Sequence, residues 1–558
     1  MKFLPCSLVL LFALLVHSQE AASKATCRNI PGSPEYPSAA EWDALNATLS
    51  GRLVTVVPSA KFCTTLPGGA CTDDQWGSAL FRSTIPGAMD QVNWEQGYDL
   101  SPPSLCLRNG TTCGQGDVPI YAVEAETVAD IQAAVRFSSA HNLRVAVKSS
   151  GHDLLGRSTA PSSLLIHTHK FQNISFVGST MTVGSGVYAK TVYEQGKTNG
   201  KIAVGAVAAT VCLGGGWVQG AGHSALSPAL GLGADNALEF EIVVASGELL
   251  KVNQNSHPDL FYALRGGGAG SWGVIVSATF HVYPTFNATS GSIFLATENN
   301  TVSASLATLH AQHVFDWDSV NAGHYMSVTR NTSTNASIFF LNIYMPNMTA
   351  SQSMALLAPF LNASLALPGV SLLSQDFTYG DINDALFADD DSVGFNIVYG
   401  SRLIPTATYR DSPSMVGEVF EKLLESGATE ILGLMVAGGK VAENANISSA
   451  VHPAWRTAKM HLLTAGTWDD SASLAEIDQI RHLFQKVQLP IIEEIAGPNA
   501  GAYSNEADVL EPNFQTTFFG PNYGKLSAIK SKYDPNDLFI VGAGVGSERW
   551  DEWGLCRV

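Results

Sequence analysis

The chain has 558 residues, with 31 Lys and Arg against 49 Asp and Glu, so its formal net charge is −18 at pH 7. An acidic chain without a cluster of Lys and Arg lacks the phosphate contacts that nucleic acids require, which excludes them as partners. Hydrophobic residues make up 46% of the chain and charged residues 14%, below the ordinary charged share of about 25%. This composition is typical of a folded protein, and the length predicts several domains.

The N-terminus has the pattern of a secretory signal peptide over residues 1–18. Lys2 precedes an apolar run at 3–16 that is too short to span a bilayer. We therefore expect a secreted protein with no membrane anchor. Ten Asn-x-Ser/Thr sequons behind a signal peptide predict N-linked glycans, which keep a surface of low charge in solution. The sequons begin at Asn46, Asn109, Asn173, Asn287, Asn299, Asn331, Asn335, Asn347, Asn362 and Asn446.

The cysteines agree with an oxidising compartment. Seven of the eight remain after removal of the signal peptide, and six of these lie near the two ends of the chain, which predicts up to three disulfides. The close pairs Cys63/Cys71 and Cys106/Cys113 are the pairings we expect, although spacing does not decide connectivity. Cys212 lies alone in a glycine-rich segment and is the expected unpaired cysteine.

Regular structure is predicted after a Pro-, Gly- and Cys-rich extension at 19–114. A strand at 118–123, a helix that starts at the capping box Thr127–Asp130 and ends near Asn142, and a strand at 143–147 form a βαβ-like unit. Later elements follow from short apolar runs, turn residues and helical periodicity. We predict strands at 163–168, 181–184, 239–245, 248–252, 274–283 and 338–344, and helices at 413–425, 474–488 and 523–532.

Two glycine-rich segments carry the signs of a ligand site. The first, at 147–158, directly follows a strand and surrounds His152 with small residues, which lets backbone N–H groups converge on phosphate oxygens. On spacing alone, a tight loop with a solvated histidine explains this segment equally well. The second, at 212–224, allows close backbone approach to a large flat ligand. Together they indicate one extended ligand between the two segments.

Three other patterns have weaker functional interpretations. The G-x-G-x-x-G match at 268–273 follows a predicted helix and precedes a strand, which is the reverse of a dinucleotide-binding turn. His167 and His169 share one face of a strand, but no third ligand lies near them in the sequence. The acidic run at 389–391 lacks the spacing of a calcium loop. We therefore predict no nicotinamide cofactor and no metal.

The motif set resembles the vanillyl-alcohol-oxidase (VAO)-type flavoproteins, in particular their berberine-bridge-enzyme-like branch. Residues 27–28 and 41–42 make the chain most similar to secreted fungal proteins of the isoamyl alcohol oxidase type. The segments that carry the broader resemblance are 150–152, 214–224, 257–268, 503–508 and 522–535.

The resemblance implies an α+β fold, with a VAO/PCMH-type FAD-binding domain and an inserted substrate domain built on an antiparallel sheet. The FAD-binding domain is expected at 115–284 and is completed by 500–558, while the substrate domain occupies 285–499. His461 and Tyr399 are further candidate site residues within the inserted part.

The resemblance also implies FAD bound covalently through His152, since a neutral imidazole is a competent nucleophile. Ala208 stands where many relatives have a second flavin-linked cysteine, so we expect a single attachment, with the reach of Cys212 doubtful. Tyr503 and Asn505 match a Tyr-x-Asn motif at the active site, where Tyr503 acts as a base, orients substrate, or is only a core tyrosine. The cofactor-binding residues expected besides His152 are Lys148, Ser149, Ser150, Gly151, Asp153, Ser158, Val211, Cys212, Gly215, Gly216, Gly222, His223 and Asn505.

These observations predict a secreted, monomeric FAD-dependent oxidase. It would oxidise an alcohol-type small molecule by hydride transfer to the flavin, with dioxygen reduced to hydrogen peroxide. Val211 favours an oxidase, because valine at the matching position of related enzymes accompanies oxygen access. The alternatives are an FAD-dependent dehydrogenase, an oxidative cyclase of secondary metabolism and, outside enzymes, a flavin-binding secreted glycoprotein.

Overall fold

The computed structural model describes residues 27–331, 333–334, 336–386, 391–498 and 500–558. The predicted signal peptide, the sequon at Asn335 and most of the acidic run at 389–391 lie outside these residues. In chain order the strands are β1 Leu53–Thr55, β2 Tyr121–Glu124, β3 Arg144–Lys148, β4 Ser163–His167, β5 Ile174–Val177, β6 Thr180–Gly184, β7 Lys201–Ile202, β8 Ala237–Val243, β9 Leu249–Asn253, β10 Val274–His281, β11 Tyr283–Pro284, β12 Asn287–Thr297, β13 Gly323–Arg330, β14 Ser337–Pro346, β15 Val370–Asp381, β16 Asn396–Pro405, β17 Glu430–Met435 and β18 Ala458–Trp468.

The α-helices connect these strands or cover the sheets. In chain order they are α1 Ala39–Thr48, α2 Ser59–Cys63, α3 Asp73–Trp76, α4 Ala79–Ser83, α5 Val128–Ala140, α6 Ala189–Thr198, α7 Ser227–Leu230, α8 Gly233–Asn236, α9 Pro258–Ala263, α10 Asn300–His313, α11 Ala350–Leu365, α12 Ile382–Leu386, α13 Thr406–Asp411, α14 Pro413–Glu425, α15 Gly439–Glu443, α16 Leu474–Leu483, α17 Leu489–Ala496 and α18 Tyr523–Tyr533.

A four-stranded sheet in the order β1-β2-β4-β3 contains the predicted βαβ-like unit, since β2 and β3 both run parallel to β4. The connecting helix α5 begins with the expected capping box: Thr127 Oγ1 accepts from the N–H of Asp130, and Asp130 accepts in return from that of Thr127. Asn142, with φ 48°, ends the helix. The first glycine-rich segment leaves the end of β3.

A second, five-stranded sheet is antiparallel and has the order β5-β6-β10-β8-β9. Helix α9 precedes the G-x-G-x-x-G match and β10 follows it directly. The helix-before-strand order at 268–273 is therefore confirmed, and the segment is not a dinucleotide-binding turn.

The largest sheet has seven antiparallel strands in the order β15-β12-β14-β13-β17-β18-β16. Alternate residues of each strand face opposite sides. On β18, Met460 packs into the cluster that contains the covering helices, whereas His461 packs against Trp455 and Tyr503 on the other side. The same alternation separates Met326 from Tyr325 on β13. The sheet thus presents one set of side chains to its helices and another toward the glycine-rich segments.

Three disulfides join cysteines near the chain ends, as predicted. Cys63–Cys71 and Cys106–Cys113 close short loops, and Cys27–Cys556 spans 529 residues. Cys212 is unpaired and buried. In the described part of the chain, no helix combines the length and the apolar character that crossing a membrane requires.

Candidate active site

A cleft between the glycine-rich segments and the seven-stranded sheet contains about 1340 Å³ of empty space. This volume includes space that is open to solvent at the mouth of the cleft. Its walls are residues from the first glycine-rich loop, the second glycine-rich loop, two strands of the large sheet (Tyr325 and Leu434) and the C-terminal segment (Tyr503, Asn505 and Glu506).

The first glycine-rich loop presents His152 to the cleft. Gly151 adopts φ +93°, and a Cβ atom there would come within 2.9 Å of the Lys148 side chain, so the turn requires glycine. The main-chain N–H of His152 donates to Ser150 Oγ at 3.3 Å. Asp153 closes the loop, since its carboxylate accepts from the N–H of Ser158 at 2.5 Å.

The second glycine-rich loop forms the opposite wall. Residues 213–217 make one turn of π-helix, interrupted at Gly215 by non-helical φ and ψ angles. Gly222, with φ +71°, folds the chain back against the Trp217 ring, and Trp217 Nε1 donates to the carbonyl of His223. The loop therefore exposes its backbone to the cleft at Gly215 and Gly216.

Tyr503 and Asn505 connect the C-terminal segment to this second loop. Asn505 Nδ2 donates to the Tyr503 hydroxyl at 2.9 Å and to the carbonyl of Trp217 at 3.2 Å. Burial raises the pKa of the Tyr503 phenol, and the charge of Glu506 adds to this shift. Asn505 therefore ties a neutral phenol to the second loop at the cleft wall.

His223, His461 and Glu506 converge beside Tyr503. His223 Nε2 lies 2.9 Å from one carboxylate oxygen of Glu506, and His461 Nδ1 lies 3.3 Å from the other. Burial lowers the pKa of His461 to about 3, although the charge of Glu506 opposes this shift. The three residues come from segments 45 or more positions apart, and the sequence predicted only His223 and His461 as candidates.

The polar atoms of the cleft fit a large polar ligand such as FAD. Arg157 Nη2, Ser185 Oγ and Gln219 Oε1 are buried at its walls and have no hydrogen-bond partner among the described residues. A free guanidinium N–H is suited to a phosphate oxygen. Sequence reasoning missed Arg157 as a ligand, although the residue lies inside the first glycine-rich segment.

Most of the predicted cofactor residues line this cleft, and two do not. The side chain of Lys148 points to the N-terminal segment, where its ammonium donates to the carbonyls of Ile85, Pro86 and Ala88. Gly222 shapes the second loop from behind Trp217. The predicted residues that line the cleft are Ser149, Ser150, Gly151, His152, Asp153, Ser158, Val211, Cys212, Gly215, Gly216, His223, Tyr503 and Asn505.

Three weaker candidates lie elsewhere or play other parts. His167 is held by Glu124, with Nδ1 2.7 Å from the carboxylate, and its ring stacks on His169. Tyr399 packs among the residues behind the cleft near Trp455. Asp391, the described residue of the acidic run, lies 3.4 Å from Thr210 N and Oγ1.

Two family models match the parts of the chain that build the cleft. A model described as an FAD binding domain matches residues 119–253, and one described as berberine and berberine-like matches 502–546. An uncharacterized FAD-linked oxidoreductase from Arthroderma benhamiae is 34% identical over 99% of each chain. The chain belongs to the VAO-type, berberine-bridge-like FAD-linked oxidoreductases. Its membership confirms the predicted flavoprotein fold and sets aside the non-enzymatic alternative.

Solved structures of VAO-type flavoproteins have the same fold. The flavoprotein MtVAO615 from Myceliophthora thermophila C1 is 29% identical, with 95% of this chain and 100% of that chain covered and a TM-score of 0.85. Glucooligosaccharide oxidase from Acremonium strictum, described with a 6-S-cysteinyl, 8α-N1-histidyl FAD, is 19% identical over 77% of this chain and 92% of that chain, with a TM-score of 0.65. The second likeness shows the fold alone.

Proposed function

We propose that this VAO-type flavoprotein is a secreted oxidase that holds FAD through a single covalent bond to His152. Its substrate is a small molecule with an alcohol-type C–H, its acceptor is dioxygen, and the products include hydrogen peroxide. When bound, the flavin supplies the hydride acceptor and the route of electrons to dioxygen. The proposal is carried by the cleft that joins His152, the glycine-rich backbone and Tyr503.

The single attachment is supported by the state of the one free thiol. Cys212 lies at the cleft, but burial raises the pKa of its thiol to about 12. A thiol must lose its proton to act as a nucleophile, so Cys212 is unreactive at neutral pH. Ala208, at the position of the second attachment in relatives, offers no sulfur. His152 is then the nucleophile that the cleft presents.

Tyr503 and Asn505 are placed to act on the substrate. Because the Asn505 amide donates to the Tyr503 oxygen, the phenol's own O–H is left to hydrogen-bond a substrate hydroxyl in the cleft. In this position the neutral phenol orients the substrate for hydride transfer. Asn505 fixes the phenol through its bond to the Trp217 carbonyl.

Secretion is supported by three disulfides and by the sequons. Among the nine sequon asparagines that the structure describes, eight are exposed and Asn46 is half-buried. Val211 at the cleft favours oxygen as the acceptor. A narrower likeness to isoamyl alcohol oxidase and a monomeric state stay predictions.

The first test is acid precipitation of the secreted protein, followed by an absorption spectrum of the washed pellet. We expect a yellow pellet from the wild type and from Cys212→Ala, and a colourless pellet from His152→Ala. A colourless wild-type pellet, or loss of colour in Cys212→Ala, would contradict the proposed attachment. The C212A control matters because it removes the thiol at the cleft without a change in His152.

Turnover is tested next with alcohols, polyols and oligosaccharides as substrates. Hydrogen peroxide formed in proportion to oxygen consumed supports an oxidase. Bleaching of the flavin that air does not reverse, together with rapid reduction of a dye, would show a dehydrogenase instead.

A further inference from the structure

We propose that His223, His461 and Glu506 form a binding site for a divalent cation of the zinc type in the wall of the cleft. One ligand atom from each residue lies within 4.8 Å of those from the other two. Two imidazoles and one carboxylate are the protein ligands of catalytic zinc sites that keep a fourth position open. Among the described residues, this is the one set of His, Cys, Asp and Glu that comes together in this way.

The carboxylate lies between the two rings. One oxygen of Glu506 is 2.9 Å from His223 Nε2, and the other is 3.3 Å from His461 Nδ1. Ligand atoms around a tetrahedral zinc ion are about 3.4 Å apart, since each bond is about 2.1 Å long. Small rotations of these side chains are therefore enough to place all three ligand atoms around one cation.

Within the residues that the structure describes, neither ring nitrogen of His461 is taken up by a hydrogen bond, so the ring is available to bind a metal. His461 is fully buried, yet neither ring nitrogen has a hydrogen-bond partner among the described residues, and Glu506 Oε2 has none either. A buried polar group without a partner costs about 1–3 kcal/mol. A cation bound by one nitrogen of His461 and by Glu506 Oε2 would satisfy two of these atoms at once.

Aromatic rings fix the orientation of the two histidines. The Tyr503 ring lies 5.0 Å from that of His223 and 5.7 Å from that of His461, centroid to centroid. Trp455 packs against the same two rings at 6.4 and 5.9 Å. Packing of this kind holds ligands in position and keeps bulk water away from a metal.

The charges of the site also suit a cation. In the described structure, the ion pairs of Glu506 are to the two histidines and not to Lys or Arg. The carboxylate therefore lacks a permanent positive partner at the cleft wall. A bound divalent ion would supply that charge, and neutral imidazoles would complete its ligand set.

The open position of the cation would face the cleft, because His223 and Glu506 line it while His461 lies behind them on β18. This part rests on the proposed function: the fourth ligand is then a hydroxyl or carbonyl oxygen of the substrate, which a divalent ion polarises. The alternative is a metal-free hydrogen bond between His223 and Glu506, and the experiment separates the two.

The test measures metal directly on the purified holoprotein. The protein is dialysed against a chelator, reloaded with zinc chloride or cobalt chloride, passed through a desalting column and analysed by elemental mass spectrometry. We expect one equivalent of metal per chain, and visible ligand-field bands from tetrahedral cobalt in a difference spectrum. Acid-precipitated flavin is measured on the same samples, so that failure of the covalent-FAD proposal is seen separately.

Two ligand variants and one control decide the assignment. His461→Ala and Glu506→Gln should each bind zinc more than about 100-fold more weakly. His169→Ala removes a histidine from the stacked His167/His169 pair and should retain one equivalent. Less than a tenth of an equivalent in the reloaded wild type, or equal retention by His461→Ala, would overturn the proposal. Glu506→Gln preserves side-chain size, and circular dichroism and Tm establish that each variant is folded.

Discussion

The two walls of the cleft are built by different means. The glycine-rich loops present mostly backbone, with Gly215 and Gly216 open to the cleft and His152 as the proposed attachment residue. The seven-stranded sheet and the C-terminal segment present side chains, including Tyr325, Leu434 and Tyr503. A wall made of backbone fits a cofactor common to a whole family, whereas a wall made of side chains can change with each substrate. The comparison implies that substitutions on the two walls should have separable effects.

The largest expected effect comes from one substitution on each wall. Tyr503→Phe should lower kcat/KM by about 10²-fold while the acid-stable yellow colour remains, because it removes the hydroxyl that orients the substrate. His152→Ala should remove the acid-stable colour. Steady-state oxygen consumption and pellet spectra on both variants check the separation. Loss of covalent flavin in Tyr503→Phe would show that the walls do not act independently.

The next largest effect concerns an ion pair that joins the large sheet to the segment after the second glycine-rich loop. Arg456, from the turn before β18, makes two hydrogen bonds of 2.7 and 2.9 Å to the carboxylate of Asp235 on α8. The Asp235 side chain is 1% exposed. Asp235→Ala leaves a guanidinium buried without its partner and should lower the free energy of unfolding by about 3–5 kcal/mol.

Chemical denaturation measures this loss, with Lys422→Ala as the matched control. Lys422 and Glu494 form an ion pair in which both side chains are about half exposed, so its removal should cost less than about 1 kcal/mol. An equal decrease in the free energy of unfolding in the two variants would mean that the Arg456–Asp235 pair contributes no more to stability than an exposed ion pair.

A smaller effect on kcat is expected from a substitution in the glycine-rich wall that displaces a side chain of the opposite wall. A Cβ atom on Gly220 would come within 2.3 Å of Asn505 Oδ1, so Gly220→Ala must displace that amide from the Tyr503 hydroxyl. Loss of one such hydrogen bond corresponds to about a tenfold decrease in kcat. The double variant Gly220→Ala/Asn505→Ala should be no slower than Asn505→Ala alone. Additive losses would show that Gly220 acts by another route.

A separate effect, on stability alone, concerns pH and the region before β2. Burial raises the pKa of Asp117 to about 7, with help from the charges of Asp99 and Glu552. A carboxyl with a raised pKa stabilises the fold when protonated, so its contribution is complete below about pH 4 and is lost as the pH rises through 7. Asp117→Asn should therefore be more stable than the wild type at pH 8, by about 1–3 kcal/mol, and equal to it near pH 4. Tm values across this range test the prediction, and parallel curves would contradict it.

Local signals in the sequence predicted much of the backbone wall. The capping box at Thr127, the short-range disulfides and the loop around His152 each depend on residues close together in the chain. The pairing of Glu506 with His461 depends instead on the register of β18 and on the return of the C-terminal segment, which no local pattern specifies. The role of Arg157 could not be predicted for a similar reason. The other N–H groups of its guanidinium donate to carbonyls more than 300 residues away in the chain.

The disulfide between Cys27 and Cys556 also sets an order of events in time. At roughly 5–20 residues per second, a ribosome needs about half a minute to two minutes to make the intervening chain. For most of that interval the first thiol has no native partner, and the segment with Tyr503 has not yet been made. The cleft is completed only once residues 503–506 have been made, so a cofactor that needs both walls must enter a nearly finished molecule. Formation of the Cys27–Cys556 disulfide is then among the last covalent steps in the maturation of the chain.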